Sequence, residues 1–74
     1  MNINDVVLIN PYGCGNKHVG IISSITSNTV CCKKWYGITT PNLVENASFF
    51  KNTVQKVPLQ VFNKAKRAWK KNRT

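Results

Sequence analysis

The sequence predicts a mainly β fold, a small barrel of four or five short strands followed by a basic amphipathic C-terminal helix. Three observations lead there. Short β-prone runs alternate with turn-rich segments through residues 1–57. The apolar spacing becomes helical only from Leu59 onward. The chain has 74 residues, so it is one domain with one thin core, because a domain this small buries only about 60% of its unfolded surface. Closing the sheet would remove edges that invite aggregation.

The elements follow in order. Val6-Val7-Leu8-Ile9 is a short apolar, β-branched run, as expected of a strand buried on both faces. Asn10 to Asn16 is dense in turn formers, so the strand ends there. His18 to Thr26 reads as a second strand. Strict alternation puts Val19, Ile21, Ser23 and Ile25 on one side and Gly20, Ile22 and Ser24 on the other. Gly20 inside this pattern predicts a bulge or a close backbone approach. Thr26-Ser27-Asn28 is a polar gap of hairpin length. Thr29 to Tyr36 is a third strand, with Val30, Cys32, Lys34 and Tyr36 on one side and Cys31, Lys33 and Trp35 on the other. Gly37 to Asn42 is a loop. Leu43 to Phe50 fits either a short strand or a single helical turn. Asn52 to Val57 reads as the last strand, anchored by Val54 and Val57.

Pro58 marks a change of regime, because it pre-sets the backbone for a first helical turn and lacks an N–H that would be unsatisfied there. Beyond it, Val61, Phe62, Ala65, Ala68 and Trp69 fall on one helical stripe. The predicted organisation is therefore a barrel over residues 1–57 and a basic helix over 58–74.

The stretch Asp5 to Ile9, then Gly13 and Gly15, then His18 to Ile25, then Thr29 to Cys32 resembles the KOW-type SH3-like pattern. That pattern is an opening strand, a glycine-containing loop, a Gly-hydrophobic step and a returning strand. It covers residues 5–36. The resemblance implies an SH3-like barrel of the kind found in ribosomal proteins and transcription elongation factors, which bind RNA, DNA or the machinery around them. The basic C-terminal helix is not part of the pattern, and a fold alone does not fix a function.

Charge supplies the functional signal. Eleven Lys and Arg stand against two acids, Asp5 and Glu45, for a formal charge of +9. Self-repulsion of that size opposes compaction, and a polyanionic partner relieves it. Six of the eleven cations lie in the helix segment: Lys64, Lys66, Arg67, Lys70, Lys71 and Arg73. On a helix, Lys64, Arg67 and Lys71 line one side, and Lys66, Lys70 and Arg73 the adjacent one. A linear array of cations suits the regular phosphates of nucleic acid and releases counterions on binding. A solvated helix face, packed on the barrel through Phe62 and Trp69, accounts for the same pattern without a ligand.

A second cluster, Lys33-Lys34-Trp35-Tyr36, sets aromatic rings beside cations, a combination suited to bases and phosphates together. Trp35 and Tyr36 fit a core role equally. Lys17 lies beside the Gly13/Gly15 loop together with Tyr12 and His18. That loop lacks the spacing of a phosphate-binding loop, so turn geometry explains its glycines. Lysine outnumbers arginine nine to two. Since base readout favours the guanidinium fork, weak sequence discrimination is expected.

Other classes find little support. Cys14, His18, Cys31 and Cys32 have the count for a zinc site, but adjacent strand residues Cys31 and Cys32 point to opposite faces and no CxxC occurs. No metal or cofactor is expected. Cys14 and His18 lie on a loop with nothing to orient them as a catalytic pair. No enzyme and no small-molecule substrate are expected. No signal-peptide pattern and no apolar run near the roughly 18 residues of a membrane span is present, so the expected location is cytoplasmic, with reduced cysteines and no membrane partner. Ten asparagines and the lysine excess fit an AT-rich coding sequence, as in many phages. The expected partner is DNA or RNA. The competing expectation is an adaptor or inhibitor docking on an acidic protein surface, such as that of a polymerase or nuclease.

Overall fold

A computed structural model describes residues 1–10 and 15–72. Tyr12, Gly13, Cys14 and Arg73 lie outside those residues, and so do the expectations attached to them. Among the described residues five strands are present: β1 (Val6–Ile9), β2 (His18–Ile25), β3 (Thr29–Gly37), β4 (Leu43–Phe50) and β5 (Gln55–Lys56). The helix α1 spans Leu59–Asn72. All pairings are antiparallel, in the order β4-β3-β2-β1-β5. The described strands make an open sheet with β4 and β5 at its margins, where the sequence predicts a closed barrel. The mainly β class and the C-terminal helix are as expected.

The ambiguous segment Leu43–Phe50 is a full strand and not a helical turn. The expected last strand is shorter than predicted. Lys51–Thr53 forms a 3-10 turn, and only Gln55–Lys56 pairs, with β1. Val54 and Val57 flank this stub and anchor opposite faces of the sheet.

The core has two layers, one on each face. On one face Val7, Ile9, Ile22, Val30, Cys32 and Trp35 pack with Val44, Ala47, Phe49 and Val54. On the other, Val6, Val19 and Tyr36 pack beneath Phe62 and Ala65 of α1, flanked by Val61 and Trp69. The adjacent pairs Val6/Val7 and Trp35/Tyr36 divide between the faces as strand pleating requires. Tyr36 meets Phe62 edge-on at 5.4 Å between ring centroids and lies 5.6 Å from Trp69, spacings favoured by the aromatic quadrupole. Pro58 does open the helix region, its carbonyl accepting the Val61 N–H at 3.1 Å.

The expected alternation fails at one place in each long strand. Gly20 pairs with Trp35, but Ile22 pairs with Cys32 and Ser24 with Cys31. Ile22 and Ile25, an odd step apart, therefore share a face, as do Cys32 and Trp35, and Val44 and Ala47. The predicted grouping of Tyr36 with Val30 and Cys32 is thus corrected, as is that of Ile25 with Val19 and Ile21. The extra residues fall at Ser23, at Lys33–Lys34 and at Glu45–Asn46. Together they form a line of irregularity across three strands. Bulges of this kind bend a sheet and re-aim side chains. Asn46 takes φ 54°, a left-handed conformation that Asn tolerates better than most residues. Gly20 sits on the same line. A Cβ there would stand 2.9 Å from the Lys34 carbonyl oxygen and 3.0 Å from Cys32 Cβ. The close approach predicted from its place in the strand is present.

Candidate nucleic-acid interface

Consecutive residues of a regular strand point to opposite faces, so Lys33 and Lys34 would ordinarily diverge. The bulge prevents this. Both line one groove of about 390 Å³ between the bent sheet and α1, together with Lys66 of the helix. Its remaining walls are Asn4, Ile21, Ile22, Ser23, Tyr36 and Phe62. None of these residues is acidic. The groove lies on the surface and not inside the core, consistent with the thin core expected of so short a chain.

Each wall has a local cause. The Asn4 N–H donates to the Ile22 carbonyl at 2.9 Å, holding the N-terminal segment against β2. Ser23, the extra residue of β2, donates its hydroxyl to the Cys31 carbonyl at 3.1 Å, which satisfies a backbone acceptor beside the bulge. Lys66 is half-buried on the flank of the apolar stripe. Its Nζ lies over the Phe62 ring, 6.0 Å from the centroid, which puts the ammonium beside one wall of the groove. Lys70 follows one turn later on the same flank. Lys64, Arg67, Lys70 and Lys71 are exposed on α1, and the basic arc expected of the helix is present through Asn72.

Two aromatic candidates are corrected. Trp35 is 0% exposed, its indole N–H donates to the Ala47 carbonyl at 2.9 Å, and its ring meets Phe49 edge-on at 5.2 Å. No base can reach it, so it is a core residue. Tyr36 is 2% exposed. It lines the groove, but Phe62 and Trp69 pack against its ring and almost none of it is exposed, so it offers no stacking surface. Burial, and then the Glu45 carboxylate, raise its phenol above the ordinary range, which keeps the hydroxyl protonated as a donor.

Lys17 is exposed but stands before β2, where its carbonyl accepts the Ile38 N–H at 2.8 Å. It is not among the residues that line the groove. The sequence grouped Lys17 with the other cations, and the fold does not. His18 is buried, with Nδ1 2.9 Å from the Asn16 carbonyl and Nε2 3.4 Å from Asn42 Nδ2. Asn42 Oδ1 accepts the Leu43 N–H at 2.9 Å, which turns its amide nitrogen toward the ring. The imidazole therefore carries its hydrogen on Nδ1 and braces the loop.

Cys32 is buried, and burial, with Cys31 beside it, pushes its thiol up to about 12. Cys31 is half-buried on the opposite side. Among the described residues no group of three or more His, Cys, Asp or Glu is placed to hold a metal. No described helix is long and apolar enough to cross a membrane.

Sequence reasoning missed Asn4, Ser23 and the joint orientation of Lys33 and Lys34. Gly20 signalled a bulge, but no residue pattern showed that it extends across three strands. No family model, curated protein or solved structure matches this chain, so the chemistry of the groove rests on its own geometry.

Proposed function

We propose that this chain is a non-catalytic nucleic-acid-binding module that grips backbone phosphates with little sequence preference. The observation that carries the reading is the convergence of Lys33, Lys34 and Lys66 on one groove, where three cations outnumber the one nearby acid, Glu45, the cross-strand partner of Lys34. The exposed cations of α1 extend the positive surface from there. Lysine ammonium groups are point charges on flexible stems, suited to phosphate and poor at reading base edges. The KOW-type resemblance of residues 5–36 favours the same class of partner. An SH3-like barrel, with β4 and β5 approaching across the 3-10 turn, is the architecture it would imply.

The test is fluorescence anisotropy with labelled DNA and RNA, single- and double-stranded, of unrelated sequences. The expected outcome is similar affinity across sequences that falls steeply between about 50 and 200 mM salt. No binding at low salt, or an affinity insensitive to salt, refutes the proposal. A pull-down before and after nuclease treatment separates it from docking on an acidic protein, whose capture would survive the nuclease.

A further inference from the structure

The exposed aromatic Phe50 has no part in the groove or in either core layer. It is 60% exposed, although its neighbour Phe49 is packed in the core. A Phe-Phe doublet in a strand sends one ring to each face. Thr29 pairs with Phe50, Cys31 with Ser48, and Ser24 with Cys31. These residues face away from the Trp35 layer and so share the face that carries α1. The helix covers that face only at the Val19 and Tyr36 end. Ser24, Ser48 and Phe50 remain exposed.

The helix-side face therefore forms a strip. Lys33 and Lys34 stand at one end, with Glu45 opposite Lys34, small polar residues in the middle and Phe50 at the other end. Four steps along β3 lead from Lys33 to Thr29, the partner of Phe50, about 13 Å at 3.3 Å each. A second concavity, about 530 Å³, surrounds Phe50 and is lined by Ser27, Asn28, Lys51 and Asn52. It puts another cation beside the ring.

Phe50 is also held in place. The Lys51 N–H donates to the Asn28 carbonyl at 2.8 Å, and the Thr53 hydroxyl donates to the Phe50 carbonyl at 2.7 Å. The ring is thus presented on a backbone fixed from both sides, at little further ordering cost on binding.

We infer that Phe50 is a stacking platform for an unpaired base, and that the strip from Lys33 and Lys34 to Phe50 and Lys51 is a track for single-stranded nucleic acid. The inference rests on the nucleic-acid reading and adds a strand preference to it. A duplex keeps its base faces stacked inside and offers none to Phe50, whereas a single strand offers them freely.

The test compares wild type, Phe50→Ala and Phe50→Trp on a labelled oligothymidine and on a duplex, with thermal melts confirming the fold. The expected result is an about 5-fold or greater loss of oligothymidine affinity in Phe50→Ala with duplex affinity unchanged. Phe50→Trp retains affinity and shows emission quenching on oligothymidine addition that exceeds that of wild type. If wild type binds the oligothymidine but Phe50→Ala binds it equally well, or loses single strand and duplex alike, the stacking platform is refuted and the groove proposal stands. If wild type binds neither ligand at low salt, both are refuted. Nuclease-resistant capture of an acidic protein by wild type but not by Phe50→Ala would assign the strip to a protein and overturn the inference.

Discussion

Replacing Lys33, Lys34 and Lys66 together by glutamine tests whether the groove is where phosphates bind. All three residues line one concavity, and glutamine keeps most of their side-chain length while removing the charge. Lys33 and Lys34 are exposed and Lys66 is half-buried, so the fold should survive. Each ammonium–phosphate contact on a single strand contributes about −0.7 to the slope of log affinity against log salt. Losing three contacts should flatten the slope by about 2. Between about 50 and 200 mM salt the variant should then lose about 20-fold less affinity than wild type. Its affinity at low salt should also be weaker. Lys56→Gln is the matched control, since Lys56 lies 3.7 Å from Asp5 on the β5 side and does not line the groove. Anisotropy titrations at four or more salt concentrations measure the slopes. An unchanged slope in the triple variant, or an equal change in Lys56→Gln, would refute the argument that these lysines act together.

Further predictions concern the scaffold that brings the lysines together. Trp35→Ala should destabilise the protein by about 3–5 kcal/mol in chemical denaturation, through a core cavity and the loss of the donor to the Ala47 carbonyl. Asn46→Val should cost about 1–2 kcal/mol because a β-branched residue fits φ 54° poorly, while Asn46→Gly should remain close to wild type in a thermal melt. Gly20→Ala should cost about 1–3 kcal/mol, since the new methyl meets the Lys34 carbonyl and Cys32. In the native protein at pH 8, peptide mapping after alkylation should find Cys32 protected and the half-buried Cys31 labelled. Because the folded state raises the Cys32 thiol from 9.0 to about 12, it holds that proton more tightly than the unfolded chain. The stability contributed by this group is therefore complete below pH 9.0 and is lost as the pH rises toward 12. Cys32→Val should remove that part of the alkaline decline in denaturant midpoints.

Local signals made much of the fold legible. The apolar run Val6 to Ile9 and Pro58 before a helical stripe each act over a few residues. The elements they predict are present at nearly the predicted bounds. Phe62, Ala65 and Trp69 were legible as the packing stripe for the same reason. Which strand residues share a face was misjudged, because period-2 alternation assumes an unbroken pleat. One extra residue in a strand reverses every assignment beyond it. The same break hid the candidate site. Lys33 and Lys34 stood out as cations, but only the bend turns both toward Lys66. Trp35 remained open between core and contact because an indole beside lysines fits either role, and the partner that decides it, the Ala47 carbonyl, lies 12 residues away. Lys17 shows the opposite case: it adds to the net charge, but the topology carries it to another end of the strand.

The line through Ser23, Lys33–Lys34 and Glu45–Asn46 constrains which chain lengths the fold accepts. Register between β3 and β4 is the same on both sides of it, because each strand carries its own surplus residue. Deleting Lys33 alone would turn Trp35 outward or pull β4 out of step with its neighbour. Shortening all three strands at once would restore a plain pleat, but it would remove one of the two lysines and leave a single ammonium group on that side of the sheet. Variants with altered length should therefore be tolerated at the hairpin tips and in the loop after Gly37, and rejected singly along this seam.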